Sequence, residues 1–416
     1  MTDSNQAFRE KVENLVEQII SGLAQPAEAT TKTIEPEPRD IIFEGTLETV
    51  HEFFNKNLWT DGLPVIPPTI DKVERFLQFT DRPADEVIGV LLPGNREATI
   101  WNIAVNGVMA GCRPEYMPVL IAIVEAIADP EFRIRDAGST PGWEPIIILN
   151  GPLIKELDFN YGPGVMRVGR QANTSVGRFL RLYIRNVAGS RIPPGEMDKA
   201  TIGSTFNVVL AENEDTVNEL GWEPFSVMRG FNKGENVVTV QSVVFTSPPT
   251  YTAGDCARDH AQTIAEVIGQ ATGSYWTFLG IKLQRWYPLL VLSPSIARVI
   301  ARDGWTKHDL QRYLYDNARI SAELMERNSW QIDSNKLDLC RLVEEGAIDD
   351  DYCQSRDPNR LVRVFLKADW IGIIVAGDPD RNQSRGYINN HIQGAPVSRQ
   401  IQLPARWEKL LKQAQG

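Results

Sequence analysis

The sequence predicts an α/β fold with mixed sheets covered by helices, arranged as two lobes with a loop-rich site between them and an N-terminal amphipathic helix appended. Three runs carry that prediction: EPIIILNGP (144–152), YPLLVLSPS (287–295) and WIGIIVAGDP (370–379). Each is apolar at both parities, as a strand covered on both faces must be, and each stops abruptly in small or polar residues. Open α/β sheets gather their sites at such carboxyl ends. The three runs share a style, not a fixed period. The second observation is a set of one-sided helical stripes between the runs. The third is length: 416 residues suffice for two to three domains or one large α/β body.

Taken in order, residues 7–24 place Phe8, Val12, Leu15, Val16, Ile19, Ile20 and Leu23 on one helical face. The Pro/Glu/Thr-rich stretch that follows has nothing to bury and reads as a linker. Residues 1–40 are therefore a docking helix with its tether, and the body starts near Ile41. A helix over 46–57 leads into LWTDGLPVIPPT (58–69), where Thr69 or Asp71 can cap the next helix. VIGVLL (87–92) reads as a buried strand and PGNREAT as the loop after it.

WNIAVNGVMAGCRPEYMP (101–118) is the stretch around which the first lobe is organised. Gly107, Ala110 and Gly111 allow close approach, Gly111 suits a helix C-terminus, and Pro114 suits the first position of the next helix. Cys112 sits at that corner with Arg113 beside it, a setting that stabilises a thiolate. The same position also suits a small buried core residue. Further on, FNYGPGVMRVGRQANTSVGRFLRLYIRNVAG (159–189) is a glycine-rich loop and then a helix from about Thr174. Arg178, Arg181 and Arg185 share one face of it. With Arg170 they form either an anion-binding set or a face that pairs with acids from elsewhere.

The second lobe, 201–416, opens with the strand TFNVVLAENE (205–214), ending in Glu212 and Glu214, and continues through GWEPFSVMRGF with Arg229. A strand ENVVTVQSVVF precedes a helix in GDCARDHAQTIAEVIG (254–269), on which Cys256 and His260 are four apart. A metal there would need ligands from other elements, and the site read here includes none. Helices over 295–303 and from Thr306 follow, then a charged, turn-rich surface excursion over 321–359, the strands LVRVFL and IGIIVAG, and a short C-terminal helix.

Composition narrows the function classes. A net charge of -11 with no basic stripe argues against nucleic-acid binding. The chain has no run of about 18 apolar residues and no signal-like start, so a cytoplasmic protein without membrane association is expected. Four cysteines without a CxxC pair fit a reduced compartment. GxGxxG, GxxxxGK[ST] and GxSxG are all missing, and no cofactor is indicated.

TDGLPVIPPT (60–69), MAGCRPEYMPVLIAIVEA (109–126), LNGP (149–152), GRQANTSVGRFLRLYIRNVAG (169–189), AENE (211–214), WEPFSVMRGF (222–231), LSPSIARVIARDGW (292–305) and IVAGDP (374–379) together resemble a bacterial family of uncharacterised proteins. That family accompanies, or is fused to, the UGSC family of (seleno)proteins. The resemblance spans about Leu47 to Ile401 and implies a cytoplasmic bacterial protein that works with a small thiol- or selenol-bearing UGSC-type partner on a small organic molecule. The chain has no Cys-Gly-Ser-Cys stretch of its own, and AGDPDRNQSRG stands where an AGGPG-type turn is expected.

The functional expectation is an enzyme or catalytic subunit acting on a small carboxylated or acyl molecule by lyase or hydratase chemistry. Cys112 would be nucleophile or ligand, and Asp61 or Glu212 would move protons if burial raises its pKa. Arg170, Arg178, Arg181 and Arg229 would hold the anionic group, with Asn150 and Asn173 as neutral donors. The alternative is a non-catalytic scaffold subunit that docks the UGSC-type partner through helix 7–24, in a homo- or hetero-oligomer. A third reading centres a metal or cofactor on Cys256 and His260.

Overall fold

In the computed structural model, residues 11–21, 37–138, 142–192, 202–203, 205, 207–271, 280–328 and 337–415 are described. The chain divides into two units, Met1–Glu44 and Gly45–Gly416. In the first, α1 (11–21) carries exposed Val12, Leu15, Val16, Ile19 and Ile20. Phe8, Leu23 and most of the expected linker lie outside the described residues.

The second unit starts with α2 (Leu47–Lys56), capped by Thr46, and α3 (Ile70–Leu77). VIGVLL does form β1 (Val87–Leu91), but only Leu91 is buried. It pairs antiparallel with β2 (Arg96–Thr99), so the expected loop is the second arm of a hairpin outside both main sheets. A Thr99–Asn102 capping box opens α4 (Ile100–Ala110), and Gly111 closes it in the left-handed region (φ 82°). A Cβ on Gly107 would lie 2.8 Å from both Leu120 and Phe76, so glycine lets α4 approach its neighbours. After a single turn at Pro114–Tyr116, α5 (Met117–Ala128) runs almost entirely buried.

The first main sheet has the order β13-β5-β3-β4. β3 (Glu144–Asn150) lies parallel to β4 (Val209–Ala211) and antiparallel to β5 (Val237–Val243). β5 in turn pairs antiparallel with β13 (Val397–Gln400). Between β3 and β4 come the short α6 (Leu153–Glu156), the glycine-rich loop, and α7 (Gln171–Tyr183). Between β4 and β5 lie α8 (Glu214–Glu219) and α9 (Phe225–Met228). β6 (Phe245–Thr246) and β7 (Thr250–Tyr251) then carry the chain to α10 (Ala257–Ala271).

The second main sheet has the order β11-β8-β12-β6, with β7 also on β12. β8 (Leu289–Leu292) is parallel to β11 (Gly372–Val375) and antiparallel to β12 (Gln383–Ile388), which is antiparallel to β6. α11 (Pro294–Arg302) and α12 (Lys307–Asn317) follow β8. The expected surface excursion at 321–359 is instead partly core. It holds α13 (Ala322–Asn328) and α14 (Leu339–Glu344), and Leu337, Leu339 and Tyr352 are buried. β10 (Leu361–Arg363) pairs with β9 (Arg319–Ser321) in a separate two-stranded ribbon. Cys340 and Cys353 are disulfide-bonded there, so the four cysteines are not all reduced. α15 (Trp407–Gln415) ends the chain.

The two main sheets repeat one pattern: two parallel strands, then two antiparallel ones. The register repeats as well. Leu149 faces Ala211 in the first sheet and Leu292 faces Val375 in the second. The next backbone N–H then returns to the same carbonyl in each, Glu212 to Leu149 at 3.1 Å and Ala376 to Leu292 at 2.9 Å. The fourth strands are exchanged. β5 leaves the first sheet and continues as β6 in the second, and β12 leaves the second and returns as β13 in the first. The sequence has no fixed-period repeat, yet the topology is duplicated.

Alternation along the strands accounts for the layering. Ile147 and Leu149 pack in a core with α4, α5 and α7, whereas Leu290 and Leu292 pack with α10, α11 and α12. Ile146 and Ile148 point the other way, into a third cluster with Leu289, Val291, Ile374 and Tyr387 from the opposite sheet. Helices, sheet, sheet and helices therefore stack in that order, which is why β3, β8 and β11 read as apolar on both faces.

Candidate active site

β3 and β4 end side by side, and the last residue of β3, Asn150, and the first residue after β4, Glu212, begin a buried polar cluster. Asn150 and Glu212 are both fully buried. Asn150 Nδ2 donates to Glu212 Oε2 at 2.7 Å and to Glu214 Oε1 at 2.9 Å. The Gly151 N–H adds a third bond to Glu214 Oε1 at 2.8 Å. Gly151 adopts φ +100°, and a Cβ there would stand 2.5 Å from the Glu235 carbonyl, so the Asn-Gly-Pro turn needs its glycine.

Glu212 is held from four elements. Lys307 Nζ donates to Oε1 at 2.7 Å, and the N–H groups of Phe225 (2.6 Å) and Val375 (3.4 Å) join Asn150 around the carboxylate. Lys307, only 2% exposed, is the first residue of α12 and follows the Thr306–Asp309 capping box. A buried ion pair is tolerated where hydrogen bonds replace the lost water, and Glu212 meets that condition. Glu214 is less fully compensated. Burial pushes its carboxyl above the usual range, the Asn150 and Gly151 bonds oppose this, and the neighbouring Glu212 charge adds to the rise.

A cleft of about 430 Å³ opens beside these groups, lined in part by Gly151, Pro152, Lys155, Tyr161, Glu214, Asp215 and Lys233. Lys155 bonds Asp215 at 2.5 Å, and the Tyr161 hydroxyl donates to the other Asp215 oxygen at 3.0 Å. The Lys155 bond holds Asp215 below the usual carboxylate range, whereas burial and Asp215 keep Tyr161 protonated above the usual phenol value. The cleft thus combines a carboxyl of raised pKa, an ionised carboxylate, a phenol and two ammonium groups.

Of the residues singled out from sequence, only Asn150 and Glu212 belong to this cluster. Cys112 lies at the expected corner but is buried, and burial pushes its thiol up to about 12, opposite to the direction expected for an activated thiolate. Arg113 is ion-paired with the buried Glu115, which neutralises the charge expected to act on the thiol. Arg178 grips Asp61 through two bonds of 2.8 Å. Burial alone would raise Asp61, but the Arg178 bond and charge outweigh it and leave its pKa lowered, so the condition for a proton carrier is not met.

The remaining arginines are also engaged within the protein. Arg181 reaches buried Glu144 at 3.3 Å, Arg170 approaches Asp158 at 3.4 Å, and Arg229 donates to the Pro396 carbonyl at 2.7 Å. Arg178 and Arg181 therefore make the acid pairs that stood as the alternative to anion binding, while Arg185, on the same face, donates to the Leu58 carbonyl. Asn173 ties the Asn160 backbone to the Val209 carbonyl, supporting the site from below without reaching it. His260 is fully buried, with Nδ1 against Thr252 Oγ1 at 2.6 Å and Nε2 against the Gly254 carbonyl at 3.2 Å, so both ring nitrogens are occupied. Among the described residues, no helix is long and apolar enough to cross a membrane.

Compared with protein-family models, curated proteins and solved structures, the chain matches none. Sequence reasoning missed Lys155, Tyr161, Glu214 and Lys307 as site residues. Asn-Gly-Pro and Ala-Glu-Asn-Glu at the ends of apolar strands signalled Glu214. Lys307 gave no signal, because Thr-Lys-His-Asp reads like any solvated helix start.

Proposed function

We propose that the protein is an enzyme, or the catalytic subunit of one, that moves a proton on a small carboxylated or acyl compound in lyase- or hydratase-type chemistry. The observation that supports it is Glu214, a carboxyl of raised pKa fixed by Asn150 and Gly151 in a cleft that also holds Lys155 and Lys233. A base tuned toward neutrality is what proton abstraction beside a carboxylate requires, and the ammonium groups suit the substrate's negative charge. Ionised Glu214 takes the proton from the carbon next to the carboxylate or acyl group. The electron pair left there forms the double bond as the β-substituent departs with its own pair, and Tyr161 protonates that group; addition of water runs the steps in reverse. Glu212 orients Asn150, and Lys307 holds Glu212.

This reading replaces Cys112 with Glu214 as the reacting group and keeps the cytoplasmic setting and the small carboxylate. The test incubates the protein in D₂O with a panel of small carboxylic and acyl compounds and follows loss of their α-proton signals by NMR. Exchange that disappears in Glu214→Gln and persists in Cys112→Ser is the expected result. Exchange unaffected by Glu214→Gln, or none across the panel, overturns the assignment. A scaffold subunit for a UGSC-type thiol or selenol partner is the second reading, favoured by the exposed apolar residues of α1. Removing residues 1–44 would then release the partner on a sizing column.

A further inference from the structure

Far along the chain from Glu214, the hairpin loop before β2 meets the end of the helix that carries α7 onward. The Gly94 N–H donates to the Ala188 carbonyl at 2.7 Å, and a Cβ on Gly94 would come within 2.9 Å of that oxygen. A pocket of about 200 Å³ lies at this junction, walled by Leu92, Pro93, Ile134 and Trp143 and edged by Arg135 and Ser190. Arg191 follows Ser190 directly, and its Nε is buried with no hydrogen-bond partner. Arg96 is fixed nearby, donating to the Asn186 carbonyl at 2.9 Å, and Arg185 donates to the Leu58 carbonyl at 3.1 Å.

Among the described residues no carboxylate lies within ion-pair distance of Arg96, Arg185 or Arg191, in contrast with the acid partners of Arg178 and Arg181. Burial and the Arg96 charge both lower Arg191, and burial with the Arg191 and Arg181 charges lowers Arg185 against a smaller opposing pull from Asp61. A buried guanidinium nitrogen without an acceptor is costly, and Arg191 beside Arg96, neither paired with an acid among the described residues, marks a place where an anion completes the charge balance.

We propose that this junction is a second binding site, for a small organic anion whose carboxylate or phosphate is taken by Arg191 and Arg96, beside the pocket's edge at Ser190, and whose apolar body reaches into the pocket over Trp143, Ile134, Leu92 and Pro93.

Isothermal titration calorimetry on the full chain at low salt tests it, with phenyl phosphate and benzoate as anionic probes and benzyl alcohol as the neutral control. Both anions should bind and benzyl alcohol should not, and the tighter anion identifies the head group the site prefers. Arg191→Gln should weaken binding about tenfold or more, Arg191→Lys less, and Glu214→Gln not at all. A melting curve confirms that Arg191→Gln folds, and Arg96→Gln serves as the second variant if it does not. Equal binding of benzyl alcohol, no binding of either anion, or affinity untouched by both arginine variants would overturn the proposal. So would affinity that depends on Glu214 and not on Arg191, since the anion would then occupy the cleft.

Discussion

At the scale of single residues, environment decides which polar groups can react. Glu214 and Asp61 are both half-buried carboxyls, but one is bonded by an amide and a backbone N–H and feels the charge of a neighbouring carboxylate, whereas the other is bonded by a guanidinium. Their pKa values move in opposite directions for that reason. If ionised Glu214 is the base, kcat/KM should rise with pH through a pKa above the usual carboxylate range, and that limb should vanish in Glu214→Gln. A rate already flat at the ordinary glutamate pKa would count against it. Cys112 gives the converse case. Its thiol, pushed up to about 12, should resist alkylation at neutral pH in native protein and react only after unfolding. Exposed corner and buried corner have the same sequence signature, which is why Gly-Cys-Arg-Pro left both readings open.

At the scale of elements, the interactions that matter join segments far apart in the chain. The Glu212 side chain fastens the carboxyl end of β4 to α12, α9 and β11, and the Asn213 N–H adds a bond to the Val375 carbonyl of β11 at 2.7 Å. Lys307→Met should therefore cost about 3–5 kcal/mol in a denaturant titration, because it leaves Glu212 buried and uncompensated. A loss below about 1 kcal/mol would mean that water reaches the pair. The Arg178–Asp61 pair fastens α7 to the loop before α3, and Asp61→Asn should cost about 2–3 kcal/mol at neutral pH. Since Asp61 is lowered in the folded state, that contribution is present above its unfolded pKa and fades as pH falls through the folded one. The difference between wild type and Asp61→Asn should shrink in acid. β3, β8 and β11 are legible in sequence because burial on both faces leaves an unbroken apolar run, as in Ile146 to Leu149, whereas β12 (QSRGYI) is too polar to stand out and reads as a polar loop. VIGVLL misled because a short hairpin with one buried residue looks the same over six positions. Residues 321–359 misled because their few apolar side chains, Leu337, Leu339 and Tyr352, are spread thinly among charges and still reach the core.

At the scale of the whole molecule, the duplicated sheets are not two separable halves. β13, near the end of the chain, pairs with β5 in the first sheet, although β12, the strand that precedes it, belongs to the second. Among the described residues, the two sheet ends differ in the groups they bury. The register places Ser293 and Ala376 where the first sheet has Asn150 and Glu212, so the second end lacks the buried carboxylate. Exchange has an energetic consequence as well. No cut between β5 and β6, or between β12 and β13, frees one sheet without removing the fourth strand of another, and the inter-sheet cluster of Ile146, Ile148, Leu289 and Ile374 belongs to both. Unfolding either half then exposes the inner face and an edge of the other, which couples their free energies. Scanning calorimetry of residues 45–416 should accordingly give a single transition whose calorimetric and van't Hoff enthalpies agree. Truncation after residue 394, which removes β13 and α15, should destabilise both sheets together and leave one transition at lower temperature. Two resolved transitions in the intact body, only one of them moved by the truncation, would show that the halves fold independently and that the exchanged strands are peripheral to each.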